Sequence, residues 1–273
     1  MLSMLLLVNT IVAAPIPYVG ESLQFRAYYQ GPFSAQKEIS IADLHWQTRL
    51  IKLGTTQAME TKLNVSSEAY DFVEKLYPFR LQYRSLLQLQ PMKTIAYERY
   101  DSTEDHGREL TWIDDSGRSM RFRDGSIDED AINLQLPVEI VKWGSQSNDY
   151  VYYKPARYRP VPRMIDEVAL LQKIRNMKLH KGDEFKMPVT DGKRRYSYRV
   201  SVLGPEKLKL GERVVDAIKI KFDGYRLRRG QLTQAHDFVW VWLTDDSLHT
   251  PLRIEHNDAI GRFVIDLTTT NRH

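Results

Sequence analysis

The sequence contains no cysteine among its 273 residues. This absence excludes disulfide-stabilised scaffolds, thiolate zinc sites, iron–sulfur clusters and cysteine nucleophiles. We therefore also expect no lipid anchor attached through a cysteine behind an export signal. Apolar and charged residues are not scarce, at 42% and 27% of the chain, so the composition is that of an ordinary globular protein.

The motifs of several large enzyme classes are also missing. The chain has no G-x-S-x-G nucleophile elbow, no G-x-x-x-x-G-K phosphate loop and no G-x-G-x-x-G after a strand. Its seven histidines occur in no H-E-x-x-H, H-x-H or H-x-E arrangement, the spacings that bring two ligands to one zinc ion. We therefore predict no catalytic residue, no metal and no cofactor, which favours a protein that is not an enzyme.

Adjacent acidic residues are the remaining catalytic candidates. They occur at Asp114–Asp115 and at Asp245–Asp246, and paired carboxylates can hydrolyse glycosidic bonds. Adjacent side chains on a strand point to opposite faces, and aspartate commonly stabilises turns by bonding to the backbone two residues on. We therefore favour turns at both pairs and keep catalysis by Asp245 and Asp246 as the alternative.

The N-terminal segment is apolar and contains no charged side chain before Glu21. An apolar run from Leu5 to Val12 precedes Ala13 and Ala14, which is typical of a secretory signal cleaved after small residues. We interpret residues 1–14 as this signal, although no basic residue precedes the run. The run is shorter than the about 20 residues that cross a bilayer, and no second one follows, so we expect an exported protein without a transmembrane segment.

Alternation of apolar and polar residues dominates from Glu21 onward, and this period of two is typical of half-buried β-strands. The clearest hairpin pairs residues 109–113 with 119–123, because the residues from Asp114 to Gly117 suit a tight turn. Further strands are predicted around 23–29, 59–65, 79–87, 94–100, 196–202, 214–222, 238–242 and 263–267.

Only two segments have a helical pattern. Residues 68–76 could form a short helix ended by Pro78, and residues 167–178 form a stronger one, since their apolar side chains fall on about half of a helical wheel. Asp166 is in position to cap the second helix. The proline-containing segment 125–162 has no clear period, and we interpret it as a long irregular connection within a single β-rich domain of residues 20–273.

Many strands and one substantial helix predict the fold class. We expect a mainly β protein with an antiparallel barrel-like or half-barrel sheet, and with the helix at about 167–178 packed against or inside the opening. A barrel of this size can enclose a ligand cavity.

The charge balance is mildly basic, with a net charge of +4. Basic and aromatic residues concentrate between Tyr150 and Arg163, a mixture that suits nucleotide bases, sugar rings or phosphorylated glycans, and equally a solvated loop over the sheet. Because the chain is expected to be exported, we predict no nucleic-acid partner.

The C-terminal third carries a recognisable pattern. The sequence VWVWLTDD at 239–246 is followed by PLRI at 251–254 and then by Gly261 and Leu267. This pattern resembles the bacterial family called domain of unknown function 3108, exported proteins of Gram-negative envelopes, and the resemblance covers nearly all of the chain after the signal. It implies a periplasmic β-rich fold and no catalytic residues, because none is established for the family.

The same region suggests candidate binding residues. Residues 239–243 and 252–254 are predicted to form a hairpin whose first strand is apolar on both faces, and such a strand is typically central in a sheet. Arg253 alternates with apolar neighbours and would face solvent, a carboxylate or a ligand. We expect Trp240, Trp242, Tyr196 and Tyr198 to line the interior, and Arg253, Arg157 and Arg159 to meet an anionic head group.

These features favour a periplasmic envelope protein that binds a lipophilic or glycolipid ligand, with a lipid or an anionic envelope glycan as candidate partners. Two alternatives stay open. A hydrolase acting on an envelope glycan would need two carboxyl groups about 5–10 Å apart in a polar cleft. A structural envelope assembly factor would instead expose a large apolar patch.

Overall fold

The computed structural model describes residue 16 and residues 18–104, 107–124, 137–143, 150–155, 161–228, 231–234 and 238–272. In chain order the elements are β1 (Glu21–Gln30), a 3₁₀ turn (Pro32–Ser34), β2 (Glu38–Leu53), β3 (Thr56–Ser66), α1 (Asp71–Leu76), β4 (Arg80–Leu89), β5 (Met92–Asp101), β6 (Arg108–Ile113), β7 (Ser119–Asp124), α2 (Val138–Trp143), β8 (Tyr150–Pro155), β9 (Ile165–Asp166), α3 (Glu167–Arg175), β10 (Glu184–Thr190), β11 (Arg195–Leu210), β12 (Arg213–Arg228), β13 (Gln231–Gln234), β14 (Val239–Thr244), β15 (Pro251–Asp258) and β16 (Gly261–Arg272).

The described strands form a single sheet of sixteen strands in the order β8-β7-β6-β5-β4-β3-β2-β1-β16-β15-β14-β12-β11-β10-β9, with β13 paired to β12. The first and last strands pair with each other in the middle of this order, so two arms of the sheet extend from them. The pairs are antiparallel except for the short parallel contact between β9 and β10.

Alternation along β1 shows how the sequence sets the two faces of the sheet. Leu23, Phe25, Ala27 and Tyr29 are buried, whereas the side chains between them are more accessible to solvent. Because consecutive strand residues point to opposite faces, one parity of most strands enters the main core. This core contains side chains from both arms of the sheet together with the apolar residues of α3, so the sheet curves around the helix.

The helix α3 begins where the sequence predicts it. Asp166 accepts a hydrogen bond from the backbone N–H of Ala169 at 2.9 Å and thereby caps the first turn. The helix ends at Arg175 rather than at residue 178, because the chain tightens into 3₁₀-type bonds there. The N–H of Met177 donates to the carbonyl oxygen of Ile174 at 3.0 Å.

Asp166 also joins the two arms of the sheet. Its buried carboxylate accepts hydrogen bonds from the hydroxyls of Ser85 on β4 at 2.6 Å and Thr94 on β5 at 2.7 Å. The backbone N–H of Thr94 donates to the carbonyl oxygen of Met164 at 2.9 Å, which holds the chain just before β9 against β5. The curved sheet is therefore brought together across these strands, and the predicted mainly β, barrel-like fold is confirmed.

The outer face of the sheet carries two smaller apolar clusters. One lies under α2 and contains Phe122, Ile140 and Trp143, and the other contains Leu208, Trp242 and other residues of the long β11–β12 hairpin and its neighbours. No helix in the described part of the chain is long and apolar enough to cross a membrane.

The expectation that 125–162 is an irregular connection is corrected by two elements inside it, α2 and β8. The helix α2 packs Ile140 and Trp143 against the outer face of the sheet, and β8 pairs with β7. Pro137 immediately precedes the helix and Pro155 ends the strand, so these prolines mark the boundaries of regular structure rather than its absence. Residues 125–136, 144–149 and 156–160 lie outside the described chain.

Candidate functional site

The strongest candidate site is a cavity of about 280 Å³ between α3 and the inner face of the sheet. This volume is close to the lower end of the roughly 300–1,000 Å³ range of small-molecule sites. Its walls come from both arms of the sheet and from one side of the helix. The apolar residues of the strand walls are Trp46, Leu63, Phe222, Val239, Val241 and Ile254.

Strand parity explains why these side chains line the cavity. On β14, Val239 and Val241 share a parity and face the main core, and the facing residue of β15, Ile254, lies opposite Val241. On β11, Tyr198 pairs with Gly224 of β12, where a Cβ atom would come within 3.3 Å of the tyrosine ring. The glycine therefore leaves room for this ring to lie against the sheet.

One carboxyl group, Glu167, lines the cavity at the start of α3. Its side chain is exposed to solvent, although neighbouring protein atoms reduce its solvation. Loss of solvation raises the pKa of Glu167 to about 7, and the nearby charges of Asp191 and Asp166 act in the same direction, whereas Arg99 opposes them. The carboxyl group accepts no hydrogen bond from any described residue.

Three tyrosines accompany Glu167. Tyr83 and Tyr97 stack with their ring centroids 6.3 Å apart and an interplanar angle of 17°, and Tyr198 faces them from the other arm. Burial is the main cause that raises the pKa of each tyrosine, and the Glu167 charge adds to it, so all three phenols are neutral near pH 7. Among the described residues, none forms a hydrogen bond with the hydroxyl of Tyr97, which is only 5% exposed, or of Tyr198.

The two tyrosines predicted to line the interior lie at or beside this cavity. Tyr198 lines it, and Tyr196 lies two residues earlier on the same face of β11 with the ring centroids 6.3 Å apart. The hydroxyl of Tyr196 donates to Oδ2 of Asp191 at 2.9 Å. The structure therefore brings both residues to the polar end of the cavity.

The expectation that Trp240 and Trp242 line the interior is wrong. Both tryptophans have the parity opposite to Val239 and Val241, so they lie in the apolar cluster on the outer face of the sheet. The indole Nε1 of Trp242 donates to Oε1 of Glu206 at 2.5 Å there. The strand is apolar on both faces, as predicted, but its tryptophan face is the outer one.

The predicted arginines do not line the described cavity. Arg253 shares the outer face with Trp242 and forms a two-bond ion pair with Asp266, at 2.5 and 2.6 Å. Its side chain therefore faces a carboxylate, one of the three options that the sequence left open. Arg157 and Arg159 lie outside the described residues.

The adjacent acidic residues belong to turns. Oδ1 of Asp246 accepts hydrogen bonds from the hydroxyl of Thr244 at 2.7 Å and from the N–H of Leu248 at 2.9 Å, and Oδ1 of Asp114 accepts from the N–H of Arg118 at 2.9 Å. These bonds support the turn interpretation at both pairs. No group of three or more metal-ligating side chains occurs among the described residues.

Sequence reasoning missed the most polar member of the site. Glu167 is the first residue of the predicted helix, where an acidic residue is ordinary because it complements the helix dipole. Trp46, Tyr83 and Tyr97 are alternating strand residues like many others in the chain. Nothing local marks these four residues as neighbours, since they are brought together by the curvature of the sheet.

One comparison with a solved structure supports the fold. The chain is similar to a beta-barrel-like protein of domain of unknown function DUF1849 from Brucella abortus, with a TM-score of 0.51 and 6% identity over 93% of this chain and 98% of that one. A proposed lipoprotein from Parabacteroides distasonis gives a TM-score of 0.34 and 10% identity over 93% and 95% of the two chains. A proposed exported protein with a YmcC-like fold from Bacteroides fragilis gives a TM-score of 0.30 and 11% identity, over 93% of this chain and 96% of that one.

A family model identifies the sequence relationship. No curated protein matches the chain significantly in sequence. The model described as "Protein of unknown function (DUF3108)" matches residues 24–268, from the first strand to the last. The segment interpreted as a signal precedes the matched region. Because the match covers nearly the whole chain, the protein belongs to the DUF3108 family.

Proposed function

We propose that the protein is exported to the periplasm and binds a small lipophilic molecule, or the apolar part of a larger lipid or glycolipid, in the cavity beside α3. The observation that carries this proposal is an apolar cavity that contains hydrogen-bonding groups without protein partners among the described residues. The carboxyl of Glu167, which is exposed to solvent, and the hydroxyls of Tyr97 and Tyr198 line the cavity without such partners, so they are suited to the polar end of a ligand.

The lining supports a ligand that is mostly apolar. Burial of apolar surface contributes roughly 25 cal/mol per Å², and the walls offer aliphatic side chains, Trp46 and the three tyrosine rings for such contacts. The volume of about 280 Å³ fits a short chain or ring system rather than a whole phospholipid. A larger lipid would therefore place only one apolar segment inside.

The alternatives have less support from the geometry. A glycan hydrolase of the two-carboxylate type needs a second carboxyl group in the cleft, whereas Glu167 is the one carboxyl that lines the cavity among the described residues. Its neighbour Asp166 is buried and accepts hydrogen bonds from two hydroxyls and one backbone N–H. The exposed apolar residues that could hold a partner protein form one short group at α1, with Phe72, Leu76 and the adjacent Tyr77, whereas others such as Phe33 and Val214 lie on separate elements.

Export is supported by the N-terminal signal pattern and by a family model that begins after it. The expected consequence is that the protein is recovered from the periplasmic fraction of cells that express the full sequence, without residues 1–14. Recovery from the cytoplasm with an intact N-terminus would contradict this part of the proposal.

Blocking the cavity tests the binding proposal. N-phenyl-1-naphthylamine, an apolar dye whose fluorescence rises in apolar surroundings, is titrated into the wild-type protein and into Val239→Trp, which places a large ring at the cavity wall. Val214→Trp is the matched control, because Val214 is 63% exposed and remote from the cavity lining. We expect saturable binding to the wild type and the control, and at least about a tenfold weaker affinity for Val239→Trp, the loss that follows from about 1.4 kcal/mol.

Native mass spectrometry of the protein purified from the periplasm then identifies the natural ligand. A bound small molecule that is lost in Val239→Trp and retained in Val214→Trp would support the proposal. Equal dye binding by all three proteins would place the dye elsewhere and contradict it. Near-ultraviolet circular dichroism of each variant checks that its tertiary packing is preserved.

A further inference from the structure

The polar end of the cavity has a negative electrostatic character. Glu167 lies there, and although loss of solvation is the main cause of its raised pKa, the charges of Asp191 and Asp166 act in the same direction. Asp166 is adjacent in sequence, whereas Asp191 belongs to the turn between β10 and β11, so acidic groups approach from two elements. An anion placed at this end would meet like charges, and a cation would meet opposite ones.

The cation that acts on Glu167 is already paired with other carboxylates. Arg99 on β5 is the basic residue that counteracts the raised pKa of Glu167. Its guanidinium donates to Oδ2 of Asp101 at 2.9 Å and to Oε1 of Glu104 at 2.7 Å. Arg99 therefore compensates only part of the negative potential at Glu167. No lysine or arginine lines the cavity within the described residues.

Aromatic rings surround the same end. Tyr83, Tyr97 and Tyr198 line the cavity with Glu167, whose charge acts on all three, and Trp46 is a fourth ring in the cavity wall. The faces of tyrosine and tryptophan rings attract cations through their quadrupoles, and cages of such rings recognise ammonium groups. A carboxyl group, hydroxyls that can accept hydrogen bonds and aromatic faces together match the needs of an N–H⁺ donor.

We propose that the ligand carries a protonated amine, and that Glu167 binds this ammonium group while the apolar walls of the cavity bind the hydrocarbon part. This inference rests on the proposed function, because it names the head group of the ligand held in the same cavity. It departs from the expectation of an anionic head group: Arg253 pairs with Asp266 on the outer face, and the groups that line the cavity are acidic or neutral.

Three probes with the same chain and different head groups test the inference. The binding of n-octylamine, n-octanol and n-octanoate is measured by titration calorimetry at pH 8, where the amine is protonated. We expect octylammonium to bind about 10- to 100-fold more tightly than octanol, the range that a hydrogen bond to a charged group supplies, and octanoate to bind most weakly.

Glu167→Gln removes the charge with little change in shape. We expect the octylamine affinity of this variant to fall to the level of its octanol affinity. The octanol affinity itself should stay near the wild-type value. Glu212→Gln is the matched control, since Glu212 is exposed in the β11–β12 turn and its substitution makes the same change in net charge. Its probe affinities should equal those of the wild type.

The pH dependence provides an independent readout. Asp166, Asp191 and Arg99 face Glu167 together with the three neutral tyrosines, and loss of solvation, together with the three charges, places the pKa of Glu167 at about 7 in the free protein. The ionised fraction of the carboxyl group falls about 30-fold between pH 8 and pH 5.5, so octylamine affinity should weaken by up to about that factor, until it reaches the affinity of octanol. Octanol affinity should change little, and Glu167→Gln should lose the pH dependence of octylamine binding.

The outcomes separate this inference from the proposed function. Equal affinities for octanol and octylamine in the wild type, unchanged by Glu167→Gln, would overturn the ammonium inference and leave a lipophilic binding site intact. Tightest binding of octanoate would also overturn it. If none of the three probes and no apolar dye binds to the wild-type protein, the proposed function itself fails.

Discussion

The ion pair between Glu21 and Arg175 allows the sharpest stability prediction. Both side chains are 0% exposed, at the start of β1 and at the end of α3. The guanidinium donates from Nη1 to Oε1 and from Nη2 to Oε2 of Glu21, the latter at 2.9 Å. Its Nε donates to the carbonyl oxygen of His249 at 3.0 Å, and the ring of Tyr18 lies 4.2 Å from its central carbon. The pair therefore ties the helix beside the cavity to the central strand of the sheet.

Arg175→Met should lower the free energy of unfolding by about 3–5 kcal/mol, the cost of leaving one buried charge without its partner. Local detachment of β1 would let water reach the unpaired carboxylate of Glu21, but it would also break the hydrogen bonds of β1 to both β2 and β16. Glu21→Gln should cost a similar amount, since it leaves the guanidinium uncompensated. The double variant Glu21→Leu/Arg175→Met should cost less than either single change, because no buried charge remains.

Equilibrium unfolding in urea measures these losses, followed by circular dichroism and by the fluorescence of the five tryptophans. Lys207→Met is the control, because Lys207 and Asp216 form a pair in which each side chain is 70% exposed. We expect at most about 1 kcal/mol for this surface pair. A loss below about 1 kcal/mol for Arg175→Met, or losses in the double variant equal to the sum of the two single changes, would refute the argument.

Two further predictions concern single side chains. Glu167 has a pKa of about 7 in the folded protein, above its ordinary value of 4.5, so its charge destabilises the fold increasingly as the pH rises from about 4.5 to 7. Glu167→Gln should therefore raise the melting temperature at pH 8 and change it little at pH 4; an equal effect at both values would contradict the assignment. Trp242→Phe keeps an aromatic ring on the outer face but loses the hydrogen bond to Glu206, so it should cost about 1 kcal/mol in urea unfolding and leave dye affinity unchanged. A large loss of dye affinity would mean that the outer face takes part in binding.

The fold could be predicted to a large extent because strand alternation is a local property. Each buried residue of β1 is separated from the next by one more accessible residue, and the Asp114–Gly117 turn fixes its hairpin within residues 109–123. The cap at Asp166 is equally local. The helix α2 and strand β8 escaped prediction because each has only six residues and lies beside prolines, which in the sequence are indistinguishable from the breakers of a loop.

The candidate site could be predicted only in part, because it depends on which face of a strand is the inner one. Alternation separates Trp240 and Trp242 from Val239 and Val241, yet both sets are apolar, and size alone favours the tryptophans as ligand contacts. The structure resolves this ambiguity through curvature: α3 occupies one side of the sheet, and the valines are on that side. Glu167 follows the same logic, since its ordinary position at a helix start becomes part of the candidate site only when tyrosines from β4, β5 and β11 face it across the cavity. An acidic residue that directly follows a buried helix cap is thus the feature to examine first in barrel-like sheets that enclose a single helix.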